Sequence, residues 1–361
     1  MHKDIQIHVD PGRGSEFLGH LEQKHFLFSL VLSYTETCTI PGITIAGKNP
    51  EVLQYTPPAD AEFLNFGYCK CVDAIPMTPD GKPTPGLLTK TALESASISN
   101  VVINAGSKIA PMMPYFEMGL PFGKNIAEEQ AMSPDAVSHA VEYGRMIGRS
   151  LGSSTDCLVI GESIPGGTTT AQAVLTGLGF DAKVSSSMHD NPLSLKSKIA
   201  ATALQRANSK EPFDIVSAAG DPMIPTISGI LSTASSQTKV ILAGGTQMAS
   251  VLAFAKATGY NRENVAVATT SYVIDDPSAN LVDTIRQIDK VPVFGVRLAL
   301  GSSKIPGLKA FAEGYVKEGV GAGGATLAAM LKVGINSEEL LGLTEAQYVD
   351  TISRSQTLPG S

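Results

Sequence analysis

The stretch LVIGESIPGGTTTAQAVL, Leu158–Leu175, decides how the chain is read. A short apolar run ends at Gly161, a proline-glycine turn follows, and small and apolar residues at helical spacing come next. That is a strand, a turn and a helix. The segment from Gly161 to Thr168 has the spacing of a phosphate-binding P-loop, G-x-x-x-x-G-K-[ST]. Gly167 stands where the lysine belongs, and Glu162 adds a negative charge. A helix N-terminus binds anions through its unpaired amides and dipole, with no lysine required. Gly166, Gly167, Thr168 and Thr169 are therefore expected to hold a phosphate. A triphosphate would need the lysine and a Mg²⁺ partner; a monophosphate would not. The plain alternative is a tight turn, but Gly-Gly-Thr-Thr-Thr at the carboxyl end of a strand favours an anion site.

The same unit recurs along the chain. Apolar runs that end in small residues occur at 100–107 (NVVINAGS), 156–163 (DCLVIGES), 213–221 (FDIVSAAGD), 239–246 (KVILAGGT), 264–271 (NVAVATTS) and 291–298 (VPVFGVRL). Continuous rather than alternating apolar residues indicate strands buried on both faces, hence parallel. Ser133–Leu151 and Gly245–Thr258 read as helices, the first with Ser133 as N-cap and Pro134 at its first position. The expected fold is α/β: a doubly wound, mostly parallel sheet, with a small helical domain built from the chain termini. The expected boundaries are 20–306 for the α/β domain, with 1–19 and 307–361 forming the helical part that carries Glu318. Near the end, Thr344-Glu-Ala-Gln347 has the form of a capping box, and TLPGS reads as a frayed tail.

Composition excludes several functions. The chain has 361 residues, a net charge of −7 and no basic run, which disfavours nucleic acid and acidic membranes as partners. Tryptophan is absent, so stacking platforms for bases are scarce. The N-terminus lacks the apolar core of a signal peptide, and Phe26–Leu32 is far too short to span a bilayer. A cytoplasmic protein is expected. Cys38, Cys69, Cys71 and Cys157 include one C-x-C pair without a second to complete a zinc site, so they read as free thiols. The histidines are scattered without ligand spacing, and no metal or cofactor is expected.

A second glycine-rich stretch, EGYVKEGVGAGGATLAAML from Glu313 to Leu331, contains Gly319-x-Gly321-x-x-Gly324, the letters of a dinucleotide fingerprint. What precedes it is helix-like and no acidic strand end follows, so the context for that motif is absent. A turn that brings Glu318 close to a ligand fits better, because glycines let backbone approach a substrate. Enzymes that use phosphoribosyl pyrophosphate carry paired acids before a Thr/Gly-rich loop. Here Gly161-Glu162 supplies one acid, and Asp275-Asp276 is followed by Pro277 and no such loop.

Together these segments resemble the nicotinate-nucleotide:dimethylbenzimidazole phosphoribosyltransferases of cobamide synthesis. GESIPGGTTTAQAVL is similar to their G-E-x-x-x-G-x-T-T loop, and KEGVGAGGATLA to their E-G-x-G-A segment with its catalytic glutamate. GKNIAEEQAMSPDAVSHAVEYG and VILAGGTQMASVLAFA also have counterparts there, the latter with Ala243 in place of an aspartate. The resemblance runs in order over about residues 100–330. It implies Glu318 and Glu162 as catalytic carboxylates and Lys198, after the glycine loop, as a phosphate contact. It also implies Gly244, Gly245, Gly319, Gly321 and Gln54 at the substrates, with Gln54 the only match in a divergent N-terminal third. The substrates implied are nicotinate mononucleotide and an aromatic base such as dimethylbenzimidazole or adenine, and the implied assembly is a homodimer. The alternatives on the same site are a nucleotide N-glycosidase and a non-catalytic nucleotide sensor.

Overall fold

Seven residues in succession, Phe26–Leu32, six of them apolar and the seventh Ser29, form a strand with every position buried. Such a run can only sit where helices cover both faces of a sheet. The computed structural model describes residues 3–44, 50–72 and 82–355. Its strands are β1 (Ile5–Val9), β2 (Phe26–Leu32), β3 (Ser99–Asn104), β4 (Phe116–Glu117), β5 (Cys157–Ser163), β6 (Lys239–Ala243), β7 (Val265–Thr270) and β8 (Val293–Val296). They make one sheet in the order β1-β8-β7-β6-β5-β2-β3-β4. Every pairing is parallel except β1 with β8. The doubly wound α/β expectation is met.

Alternate residues of each strand face different cores. Val31, Leu158, Ile160, Leu242 and Val267 pack with the helix residues Val174, Ile227 and Leu252. Phe28, Leu30, Val159, Ile241 and Ala266 pack with Leu88, Leu327 and Met330 from the other side. No helix among the described residues is long and apolar enough to cross a membrane.

From β5 the order runs through β6 and β7 to β8 in one direction; from β2 it runs through β3 to β4 in the other. Neighbouring β2 and β5 therefore mark the topological switch point, where a crevice opens beyond the carboxyl ends. Their register pairs Val31 with Glu162 and Leu32 with Ser163. Glu162 thus stands at the lip of that crevice.

Four local readings are corrected. Residues 213–221 are not a strand: Pro212–Ala219 is a helix with Pro near its start and Ile215, Val216 and Ala219 buried at helical spacing. A run this short has no periodicity that separates the two states, and the proline was the deciding signal. Residues 5–9, expected with the helical part, instead form β1 on the sheet edge. Thr344 caps nothing. It lies inside the helix Ser337–Ser355, where its hydroxyl donates to the Leu340 carbonyl at 2.8 Å. The capping box is formed upstream: Asn336 N donates to Glu339 Oε2 at 2.9 Å, and Glu339 N donates to Asn336 Oδ1 at 3.0 Å. The fourth correction, Lys198, belongs to the site below. The tail TLPGS lies outside the described residues.

Candidate active site

The carboxyl ends of the strands surround a cavity of about 270 Å³. It is lined by Glu162 through Thr168, by Ser185–Ser187, Gly245–Gln247 and Val316–Val320, and by Tyr55, Asp60 and Thr84. The two motifs far apart in sequence share this space. Their meeting depends on two glycines. A Cβ on Gly161 would lie 3.0 Å from Gly321 Cα, and one on Gly321 would lie 2.9 Å from Gly161 Cα. Gly321 also has φ +68°, a conformation that side chains disfavour. Any residue with a Cβ at either position would push the glutamate loops apart.

The turn after β5 leads into a helix, the local order that its sequence implies. Gly166 takes φ 79° as N-cap of the helix Gly167–Gly177. A Cβ on Gly166 would lie 2.8 Å from Cys38 Cβ. Gly166, Gly167 and Thr168 line the cavity, so the positive end of the helix dipole faces it. Thr169 is wholly buried and off the cavity wall; its hydroxyl has no hydrogen-bond partner among the described residues.

Glu318 accepts four hydrogen bonds. Its Oε2 accepts from Thr270 N at 2.8 Å and Thr269 Oγ1 at 3.0 Å. Its Oε1 accepts from Gly319 N and Gly323 N, both at 3.2 Å. Gly323 belongs to the first turn of the helix Ala322–Val333, so that helix end also favours a negative charge. Burial pushes the carboxyl upward, and these donors oppose it. Glu162 has less help. Burial, then the charges of Glu318, Asp221 and Asp60, push it up to about 8, against one backbone hydrogen bond at Ile164. Both carboxyls are raised, and the charge of Glu318 is the second cause of the rise at Glu162.

The lysine on the cavity wall is not the expected one. Lys198 is exposed and does not line the cavity. Lys196 is fully buried; its Nζ donates to the Ser185 carbonyl at 3.0 Å and to Asn191 Oδ1 at 3.1 Å. Two positions along a helix are about 200° apart, so only one of the pair can face inward. Burial, and then Lys317, push Lys196 down to about 7. Lys317 lines the cavity and pairs with Asp276 at 3.1 Å. Asp276 also accepts from Ser185 Oγ at 2.6 Å. The place of Lys317 beside Glu318 in the chain was the signal available in the sequence.

Of the other expected residues, Gly245 and Gly319 line the cavity, and Gly321 makes the glycine contact. Gly244 lies behind the wall; a Cβ there would be 4.0 Å from Glu162 Oε1. Gln54 donates to the Glu51 carbonyl at 2.9 Å and is not part of the lining, whereas its neighbour Tyr55 is. Among the described residues no group of three or more His, Cys, Asp or Glu side chains could hold a metal ion.

The cavity thus lies at the switch point, with a helix N-terminus and the carboxylates of Glu162, Glu318 and Asp60 on its wall. The chain belongs to the phosphoribosyltransferase family DBI_PRT, whose profile matches residues 94–303. It is 46% identical over 321 residues to a UPF0284 protein of Archaeoglobus fulgidus, covering 89% of this chain and 92% of that one. A UPF0284 protein of Sulfurisphaera tokodaii is 40% identical over 330 residues, covering 91% and 94%. The fold is similar to that of CobT from Thermus thermophilus, with a TM-score of 0.62 at 15% identity, covering 94% of this chain and 93% of that one. A second structure, of the nicotinate-nucleotide-dimethylbenzimidazole phosphoribosyltransferase from the same organism, has a TM-score of 0.61 at 16% identity, covering 94% of this chain and 95% of that one.

Proposed function

We propose that this protein moves ribose 5-phosphate from nicotinate mononucleotide to an aromatic base, giving an α-ribonucleotide for a cobamide lower ligand. The observation that carries the reading is the pairing of Glu162 and Glu318 on one cavity with a lysine-free helix N-terminus. Gly166, Gly167 and Thr168 hold the 5-phosphate through backbone amides, with Lys317 as the nearby cation. The N–H proton of the incoming base passes to Glu318, whose carboxylate oxygens are held in place by four donors. The base nitrogen then forms its bond to the anomeric carbon. The bond to the pyridinium breaks, and its electron pair returns to the ring nitrogen, which is uncharged in the departing nicotinate. Glu162 turns its carboxyl oxygens toward the positive charge that develops on the sugar and stabilises it. A pyridinium leaving group needs no pyrophosphate activation, so turnover should persist in EDTA. A homodimer in the cytoplasm belongs to the same proposal.

The test is incubation with nicotinate mononucleotide, with and without a panel of bases, followed by mass detection of nicotinate. Release only with a base supports transfer. Release without one supports an N-glycosidase, and binding without release supports a sensor.

A further inference from the structure

Transfer as described leaves one cavity carboxylate without a task. Asp60, on the helix Thr56–Phe66, is 3% exposed and lines the cavity. Its Oδ2 accepts from Ser163 Oγ at 2.7 Å, and its Oδ1 from Thr84 Oγ1 at 3.0 Å. These hydroxyls fix the plane of the carboxylate. A carboxylate offers roughly four acceptor positions, so about half remain for something else. None of the ion pairs formed among the described residues includes Asp60. A buried acid without a cationic partner is costly unless a ligand supplies the donor.

Three observations narrow that ligand. The carboxylate would repel a phosphate, so it does not serve the anion end. Ser163 follows Glu162 directly, and the charge of Asp60 bears on Glu162, so Asp60 belongs to the reacting end. The wall it shares includes Ile43, Val52, Tyr55 and Ala59, apolar and aromatic surface that suits a flat ring.

We infer that Asp60 selects the acceptor, taking a hydrogen bond from an amino or hydroxyl group carried on the ring of the incoming base. The chain then prefers an amino- or hydroxyl-substituted base over one that is bare or methylated at that position. This inference rests on the transferase reading. It names the class of acceptor that the same site takes.

The experiment measures base binding by calorimetry and transfer by initial rates, using matched pairs: adenine against purine, and 5-hydroxybenzimidazole against 5,6-dimethylbenzimidazole. Wild type should favour the donor-bearing member by about 10- to 100-fold, the range of one hydrogen bond to a charged group. Asp60→Asn, which keeps shape and one acceptor, should cut that preference to a few-fold. Asp60→Leu should abolish it, with nicotinate mononucleotide affinity preserved in both. Should Asp60→Leu fail to fold, Asp60→Asn carries the test alone. Equal treatment of each pair by wild type, or no base binding at all, overturns the inference. So does a variant that weakens the mononucleotide and keeps base discrimination, because Asp60 would then hold the ribose. Base discrimination without nicotinate release would instead count against the transferase reading.

Discussion

The Val320 amide donates to the Glu162 carbonyl at 3.1 Å, a direct backbone bond between the two glutamate loops. It lies beside the contact of Gly161 with Gly321. The carboxylate pair is therefore set by main chain. Substitution of either glutamate should leave the loops docked.

Glu318→Gln tests the base role. The variant keeps the reach of the side chain but cannot take a proton, so turnover should fall by roughly 10²–10⁴ while the mononucleotide still binds. The amide has only one acceptor oxygen for donors now spread over two. A stability loss of about 1–3 kcal/mol should accompany it. Near-normal turnover in steady-state assays would move the base role to Glu162.

Glu162 sets a pH dependence of stability. Its carboxyl rises from an ordinary 4.5 to about 8 in the folded protein. Between those values the folded state holds a proton that the unfolded chain has released, so this group's contribution to stability declines as pH rises and is lost above about 8. Denaturant titrations of wild type should show that decline, and Glu162→Gln should flatten it. An unchanged slope would mean that Glu162 is ionised at neutral pH.

How much of this was legible in the sequence depends on what each residue packs against. The strands β3, β5, β6, β7 and β8 announced themselves because burial on both faces demands unbroken apolar runs. The helix Pro134–Gly152 was equally plain, its Ser133 accepting from Ala136 N as an N-cap should. The short run at 213–221 misled because apolar content alone does not separate helix from strand. Lys198 misled because linear position does not say which helix face turns inward, and Lys196 took that face. Asp60 was invisible: its helix buries Pro57 through Leu64 almost without break, so no polar stripe marks the residue.

The lysines offer a sharp contrast. Lys317→Ala removes the partner of a buried Asp276 at 3.1 Å and should lower the melting temperature and weaken mononucleotide binding by tenfold or more, on the order of 1.4 kcal/mol. Lys198→Ala, at an exposed position, should leave both within error. Calorimetry and thermal melts on the two variants decide between them, and the reverse pattern would restore the sequence expectation.

Gly167→Val tests the phosphate loop. A Cβ there would lie 2.5 Å from Gln247 Nε2 and 2.7 Å from Ile164 Cγ2, so these side chains must give way and the branched valine crowds the loop. Nicotinate mononucleotide at a hundredfold excess over Kd should stabilise wild type by about 2.7 kcal/mol, seen as a few degrees in melting temperature. The riboside, without its phosphate, should give much less, and Mg-ATP little. The variant should lose the mononucleotide shift. A shift that survives in the variant would show that the loop is only a turn.

The most direct test of the central claim offers the protein two donors in the presence of an accepted base. Nicotinate mononucleotide should be consumed, in EDTA as in Mg²⁺, giving free nicotinate and a ribotide whose anomeric proton in NMR reports the α configuration. Phosphoribosyl pyrophosphate should be left untouched. Consumption of the pyrophosphate donor in its place, or a β-linked product, would contradict the account.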